Sequence, residues 1–230
     1  MACSHHGCHT GLPLMTAMRT RYPNLRLHRV ESLSGHLADM LNASQLDLAV
    51  LFDSPVHSSH ALQKARRWSV MALMEEDLFL KQAHLSQCAN LPQSSTLNQL
   101  QNQVLILPTG PHGLRSTLDA AFARAGLAPH VVLEVDSLSM LMAAVSAGLG
   151  ATLQPWAAVG RFPDAKQRFH LALITDADMK RRNLLCSLSD DEISPAALAT
   201  RVVIVDCVRM LVSQAHWQGA RLMPKHPSSQ

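Results

Sequence analysis

The sequence predicts an α/β fold organised around parallel strands. Two short segments, 46–52 (LDLAVLF) and 103–107 (QVLIL), are almost continuously apolar, which is typical of strands covered on both faces. Each adjoins segments whose apolar residues recur at helical spacing. A strand, a helix and a second strand within roughly 30 residues form a βαβ unit, which implies parallel strands. We therefore expect such units in both halves of the chain.

In the first half of the chain, the elements follow from apolar spacing and from the positions of proline and serine. A first helix carries apolar residues from Leu12 onward and ends before Pro23, because the residue before a proline is disfavoured in helical conformation. The segment 24–31 (NLRLHRVE) alternates between apolar and polar residues, which predicts a half-buried strand. Either Ser32 or Ser34 then caps the next helix.

The second half of the chain repeats this order of elements. A helix over 114–125 ends at Gly126, a residue type common just past helix ends. The segment 130–135 (HVVLEV) is the next strand, and Asp136 or Ser137 caps the helix after it. The remaining predicted elements are strands over 150–155 and 183–188 and a long helix from Ser194-Pro195 to about Trp217.

Two polar stretches indicate where the chain crosses between two lobes. One is an acidic turn over 74–80 (MEEDLFL), and the other is 174–183 (ITDADMKRRN). These interruptions predict a subdomain I of 1–76 plus 177–230 and a subdomain II of 77–176.

The composition excludes several classes of partner and compartment. A net charge of +3 is too small to favour nucleic acid or a membrane surface as the partner of this chain. Its most apolar stretch, 139–153, is broken by Ser and Gly and is too short to span a bilayer. The five cysteines form no C-x-x-C pair, and no secretory signal precedes them. We therefore expect reduced thiols in a soluble, cytoplasmic protein.

Common catalytic signatures are missing from the sequence. It contains no phosphate-binding G-x-x-x-x-G-K-[ST], no H-E-x-x-H, no G-x-S-x-G and no G-x-G-x-x-G. The sequence therefore predicts neither an enzyme nor a cofactor. One enzymatic alternative stays open, in which His112 acts as a base together with Asp53 or Asp136.

The strand-to-helix turns are the candidate ligand sites. In open α/β sheets, ligands bind outside the carboxyl ends of the strands, where helix N-termini favour a small anion. Short hydroxyl-bearing and flexible residues at such turns suit a small polar ligand, although each hydroxyl alone can simply cap its own helix. The candidates are Ser32, Ser34, Asp53, Ser54, Thr109, Gly110, His112 and Ser137.

A cluster of thiols and imidazoles stands at the start of the chain. Cys3, His5, His6, Cys8 and His9 are all residue types that bind zinc or copper. A structural zinc site usually draws its ligand pairs from two separate segments, however, and no second pair is near in the sequence. We therefore expect no metal here.

Two long segments, 12–52 and 105–155, resemble the effector-binding domain of LysR-type transcriptional regulators, and 194–203 resembles the family's last helix. The resemblance runs from about residue 12 to 222. Its shared features, in order, are the Tyr22-Pro23 helix end, Leu46-Asp47, the Gly-x-x-Gly-Leu-Arg loop from Gly110 to Arg115, Glu134 to Ser137, and Val145 to Gly150.

This resemblance implies two Rossmann-like subdomains with a ligand cleft between them, like type 2 periplasmic binding proteins. The ligand would be a small organic effector, more often anionic than not, and the protein a homodimer or tetramer. The implied contacts are the turn at Ser32 and Ser34, the loop from Thr109 to His112, and Thr152 and Gln154 in the turn after Gly150.

The sequence departs from the family pattern at its start. The family's winged helix-turn-helix would precede residue 12, so we expect no DNA-binding domain in this chain. The segment 1–11 (MACSHHGCHTG) stands in place of the family's first strand, has no strand pattern, and predicts a sheet that lacks this strand. A misassigned start and a natural truncation both remain open.

The favoured hypothesis is the small-molecule effector-sensing domain of a LysR-type regulator, which controls transcription through a ligand-biased oligomer arrangement. The alternatives are a stand-alone solute-binding protein of the same fold and a truncated, dominant-negative regulator.

Overall fold

A computed structural model describes residues 2–3, 8–32, 34–53, 68–83, 92–110, 113–160, 162, 164–177 and 179–223. The described chain divides into two compact units. Unit 1 takes residues up to 53, 68–76 and 182–223, and unit 2 takes 77–181.

The elements alternate along the chain as an α/β fold requires. In order they are β1 (Ala2–Cys3), α1 (Cys8–Arg21), β2 (Val30–Glu31), α2 (Ser34–Asn42), β3 (Leu48–Phe52), β4 (Trp68–Ala83), β5 (Ser94–Ser95), β6 (Val104–Leu107), α3 (Gly113–Arg124), β7 (His130–Glu134), α4 (Leu138–Ser146), β8 (Thr152–Pro155), α5 (Ala165–Arg168), β9 (Phe169–Ile174), β10 (Lys180–Leu188), α6 (Pro195–Ser213) and β11 (Ala220–Leu222).

In unit 1, a sheet in the order β2-β1-β3-β10 forms the centre. β1 runs parallel to β2 and β3, and β10 joins β3 antiparallel. The inner face of α2 packs Leu37 and Leu41 on β3, where Ala49 and Leu51 are fully buried. β11 pairs antiparallel with the first half of β4. The predicted α/β class is confirmed, with antiparallel strands added to the parallel ones.

In unit 2, the second half of β4 pairs antiparallel with both β8 and β9. β6 and β7 run parallel to each other. Leu105 and Leu107 of β6 join one apolar cluster with α3, and Ile106 joins a second cluster with α4. The strand is therefore covered on both faces, as its continuous apolar run predicts.

The expectation that the first strand is missing is wrong. Ala2 pairs with Val30 on one side and with Ala49 on the other, so β1 lies between two neighbours. A strand of two residues is defined by its backbone pairing and is too short to show any side-chain alternation. Because β1 is so short, its pairing with β2 covers only Val30 and Glu31, and the rest of the predicted strand over 24–31 is irregular.

The predicted acidic turn over 74–80 is also wrong, because these residues lie in the middle of the 16-residue strand β4. Here the acidic side chains have partners that hold them in the sheet. Glu76 is buried and accepts hydrogen bonds from Trp217 Nε1 at 2.7 Å and Asn183 Nδ2 at 2.8 Å. The boundary between the two units falls inside this strand, between Glu76 and Asp77.

None of the helices in the described part of the chain combines the length and the apolarity that crossing a bilayer requires.

Candidate functional site

In unit 2, the turns that follow β6 and β7 are linked at the carboxyl ends of these parallel strands. The backbone N–H and the hydroxyl of Thr109 both donate to Asp136 Oδ1, at 3.0 and 2.7 Å. Ser137 is the N-cap of α4, and its Oγ accepts from Met140 N at 3.4 Å. Gly110 is exposed in the same turn as Thr109. Of the predicted residues, the structure therefore brings Thr109, Gly110 and Ser137 to one edge of the sheet.

Arg115 in the first turn of α3 braces the same edge. Its guanidinium donates to the carbonyl of Pro108 at 3.1 Å, to Asp119 at 2.8 Å and to Glu134 at the end of β7. Burial lowers the pKa of Arg115, but the hydrogen bonds that Arg115 donates to Asp119 and Glu134 outweigh burial, so the pKa is raised overall. Arg115 therefore stays cationic and ties both strand ends to the helix.

In unit 1, the end of β3 and the start of α2 are joined in a similar way. Phe52 N donates to Ser34 Oγ at 3.2 Å, and the Ser34 side chain is buried. Asp53 follows β3 directly, and its N–H donates to a backbone carbonyl of β10 at 3.0 Å. Ser32 Oγ lies 3.3 Å from Nδ1 of His36. Ser32, Ser34 and Asp53 thus share the carboxyl edge of the parallel strands β2 and β3.

Thr152 and Gln154 lie within β8 itself, and not in the turn after Gly150 that the family resemblance implies. In the ladder with β4, Thr152 is opposite Lys81 and Gln154 is opposite Phe79. Residues directly opposite in an antiparallel pair point to the same side of the sheet. All four side chains therefore share one face.

This face of the sheet is polar although it is buried. Lys81 and Thr152 are 0% exposed and Gln154 is 2% exposed. Thr152 Oγ1 and Gln154 Oε1 have no hydrogen-bond partner among the residues that the structure describes. The alternate positions Leu78, Leu80 and Leu153 belong to the apolar core on the opposite face. Buried polar atoms without partners are rare in proteins.

An aromatic pair borders these polar residues. The rings of Phe79 and Trp156 meet edge to face with centroids 5.9 Å apart, and Lys81 Nζ lies 5.3 Å from the centroid of Phe79. Sequence reasoning missed Phe79 because it interprets 74–80 as a turn, and it assigned no role to Lys81 or Trp156. The available signal for Lys81 was a charged residue directly after the apolar run LFL.

Some of the predicted binding residues lie outside the part of the chain that the structure describes. These are the effector candidates Ser54 and His112 and the metal candidates His5 and His6. Cys3 lies in β1, and Cys8 and His9 begin α1, but their side chains are not among those described. The described residues contain no group of three or more His, Cys, Asp or Glu that could hold a metal ion. The absence of a metal stays a prediction.

The geometry defines a class of ligand-binding α/β domain, in which hydroxyl-bearing turns meet at the carboxyl ends of parallel strands. Comparison with known families makes this specific: the LysR substrate binding domain matches residues 1–206. The chain belongs to this family, and the resemblance drawn from the sequence is confirmed.

Curated relatives are transcriptional regulators and not enzymes. The nitrogen assimilation regulatory protein nac of Escherichia coli (strain K12) is 27% identical over 209 residues, which cover 90% of this chain and 64% of that protein. The chain therefore spans somewhat less than two thirds of this relative.

Two solved structures share the fold. The regulatory domain of Synechocystis PCC6803 CcmR in complex with 2-PG superposes with a TM-score of 0.76 and 14% identity, covering 90% of this chain and 95% of that one. The effector binding domain of QuiR in complex with shikimate superposes with a TM-score of 0.73 and 18% identity, covering 91% and 97%.

Proposed function

We propose that this domain binds a small organic effector and, within a longer regulator, converts that binding into a change in transcription. Family membership supports the first half of the proposal, and the regulatory names of the relatives support the second. The chemistry is reversible binding, with no covalent step and no cofactor. The domain operates in a cytoplasmic regulator.

The observation that carries this proposal is the link between Thr109 and Asp136. It holds the turn after β6 against the turn before α4. Ligands of open α/β sheets bind outside the carboxyl ends of strands, and a turn ordered before binding lowers the entropy that binding must overcome. We assign Thr109, Gly110 and Ser137 to effector contact in unit 2, together with Thr152 and Gln154 of β8.

Within unit 1, three of the predicted residues stay candidates for effector contact. Ser32, Ser34 and Asp53 stand at its strand edge, and Ser34 links α2 to β3. Ser54 and His112 remain sequence predictions for the same role. The regulator then acts as a homodimer or tetramer, in which the effector stabilises one arrangement of subunits over another. DNA contact belongs to a winged helix-turn-helix in the longer regulators.

A thermal-shift screen tests this proposal. The 230-residue chain is mixed with shikimate, 2-PG and a panel of small metabolites, and the affinity of each compound that raises the Tm is measured by calorimetry. We expect Thr109→Val and Ser137→Ala to weaken binding about tenfold, since each removes a hydroxyl at the strand edge. Ser213→Ala, at the far end of α6, is the matched control and should bind as the unmodified chain does.

Analytical ultracentrifugation with and without the bound compound tests the second half of the proposal, in which effector binding changes the association of subunits. A ligand-dependent change in association supports the regulatory arrangement. Tight binding with no change in association, at any protein concentration, would instead favour a stand-alone solute-binding protein. Affinity unaffected by both hydroxyl variants would contradict the assigned site.

A further inference from the structure

The turn after β6 is held by side chains beyond the point where the ladder between β6 and β7 ends. At this end of the ladder, a backbone bond of 2.9 Å runs from Val135 N to the carbonyl of Leu107. The next residue, Pro108, is buried and has no N–H, so its carbonyl is the backbone group that needs a partner. Arg115 Nη1 donates to this carbonyl at 3.1 Å. A side chain of α3 therefore continues the hydrogen bonding one residue beyond the strand.

Arg115 connects three elements through one guanidinium. Nη1 reaches both the Pro108 carbonyl and the carboxylate of Glu134 at the end of β7, and Nε donates to Asp119 one turn along α3, at 2.8 Å. A planar fork with donors on separate nitrogens can hold such a set of acceptors, whereas an ammonium presents all its donors from one atom. The contact therefore depends on the shape of arginine and not only on its charge.

The charge of Arg115 is also compensated by the protein. Its side chain is 16% exposed, and the two carboxylates of Asp119 and Glu134 share its single positive charge. One guanidinium with two carboxylates is negative as a group. This arrangement favours a role in holding the turn over direct contact with an anionic effector.

One peptide group in this turn is held at both of its polar atoms. The carbonyl of Pro108 and the N–H of Thr109 belong to the same planar trans peptide, in which they point to opposite sides. Arg115 holds the oxygen, and Asp136 Oδ1 accepts from the N–H at 3.0 Å. Two anchors on opposite sides fix the rotation of the plane. They therefore also fix the direction in which the Thr109 side chain and Gly110 leave the turn.

We propose that Arg115 is a positioning residue of the effector site. It holds the peptide between Pro108 and Thr109 in one orientation, and so presents Thr109 and Gly110 to the effector without touching the effector itself. A turn held in this way loses less conformational entropy on binding. This inference rests on the proposed function, since it names a residue that shapes the same site.

Amide hydrogen exchange of the ligand-free 230-residue chain, followed by NMR, tests the inference. We expect Arg115→Met to speed exchange of the Thr109 amide about tenfold, because the carbonyl of the same peptide loses its anchor and the turn opens more often. The Ile106 amide, which donates to Ala151 O at 2.8 Å, should exchange at an unchanged rate. The two amides together separate opening of the turn from a general loss of stability.

Two further variants complete the comparison. Arg115→Lys keeps the positive charge without the planar fork, so it should also speed exchange at Thr109, and it replaces Arg115→Met if that variant does not fold by circular dichroism. Arg168→Met is the matched control. Arg168 in α5 likewise pairs with a carboxylate four residues away, that of Asp164 at 2.8 Å, and its loss should leave the Thr109 amide unchanged.

Affinity is the second readout. Calorimetry measures shikimate, 2-PG and the metabolite panel, and a compound that binds the unmodified chain should bind Arg115→Lys about tenfold more weakly. The loss should be the same for anionic and neutral compounds, since Arg115 acts through the turn. A direct contact with an anion would instead be restored by lysine.

Four results would overturn the inference. They are unchanged exchange at Thr109, equal acceleration at Thr109 and Ile106, full recovery in Arg115→Lys, and unchanged affinity despite faster exchange. If a compound binds while exchange at Thr109 is unchanged, the proposed function stands and this inference fails. If no compound binds but Thr109 exchanges faster, the proposed function fails, whereas the hold of Arg115 on the turn is confirmed.

Discussion

Single buried polar residues have two different roles in the two units. In unit 1, Glu76 is enclosed and satisfied, since Trp217 and Asn183 both donate to its carboxylate. Satisfied buried groups of this kind stabilise a sheet. In unit 2, Thr152 and Gln154 are equally buried, but each has an oxygen with no partner in the described structure. The first arrangement stabilises the sheet, whereas the second costs stability.

Replacing Thr152 with valine should therefore stabilise the ligand-free domain. The substitution keeps the shape of the side chain and removes an unsatisfied hydroxyl, so we expect the free energy of unfolding to rise by about 1 kcal/mol. Urea denaturation checks this as an increased midpoint at unchanged slope. Thr200→Val is the matched control: Thr200 is also buried, but its hydroxyl donates to Ala196 O at 2.8 Å, so no gain is expected. A loss of stability in Thr152→Val would mean that the hydroxyl is already satisfied.

Two strands of very different length each have more than one neighbour: β1, one of the three two-residue strands, and β4, which has residues in both units. β1 has only two residues, yet it has a neighbour on each side. β4 has 16 residues and supplies a partner for β11 in one unit and for β8 and β9 in the other.

A proline in β1 should disrupt the sheet of unit 1. Cys3 pairs with Glu31 and Val50, and a proline there removes a backbone N–H from a strand that has neighbours on both sides. We expect Cys3→Pro to cost about 2 kcal/mol or more of stability in urea denaturation. Cys3→Ser keeps the N–H and is the control. Equal stability of the two variants would show that β1 does not take part in the sheet.

At the scale of the whole molecule, apolar clusters occur within both units. In unit 1, a cluster around α2, β3 and β10 includes Cys186. Unit 2 has one cluster on each face of β6. Burial, with a smaller effect from Asp53, raises the pKa of the Cys186 thiol from 9.0 to about 12. The folded protein therefore keeps a proton that the unfolded chain releases.

This pKa shift predicts a loss of stability in alkali. Above pH 9.0 the unfolded chain binds fewer protons at Cys186 than the folded protein, so the contribution of this thiol, complete below that pH, falls until about pH 12. The quantity to compare is the free energy of unfolding of the unmodified chain minus that of Cys186→Ala. We expect this difference to be about 1.4 kcal/mol smaller at about pH 10 than at neutral pH.

Urea denaturation at the two pH values measures this change. Cys207→Ala is the comparison: burial also raises the pKa of that thiol, but the Arg21 guanidinium lowers it, so the change should be smaller. A pH-independent difference for Cys186→Ala would contradict the raised pKa.

Local pattern predicts much of this fold, because several elements are defined by residues close in the chain. The strands β3 and β6 are continuous apolar runs, and α4 and α6 begin at Ser137 and Ser194, whose hydroxyls accept from the first turn of each helix. The same pattern misses β1 and misreads the acidic part of β4. In both, the partners that make the strand are far away in the chain.

The candidate site likewise contains residues that the local pattern predicts and residues that it does not. Thr109 and Ser137 can be predicted because turns after strands are recognised locally, and the family follows from motifs in a fixed order. The grouping of Lys81 with Thr152 and Gln154 depends on the register between β4 and β8, about 70 residues apart in the chain. The sequence alone therefore determined the α/β class, most elements and the family. Only the tertiary structure decided which polar groups share one buried face, because strand register is set by packing between distant segments.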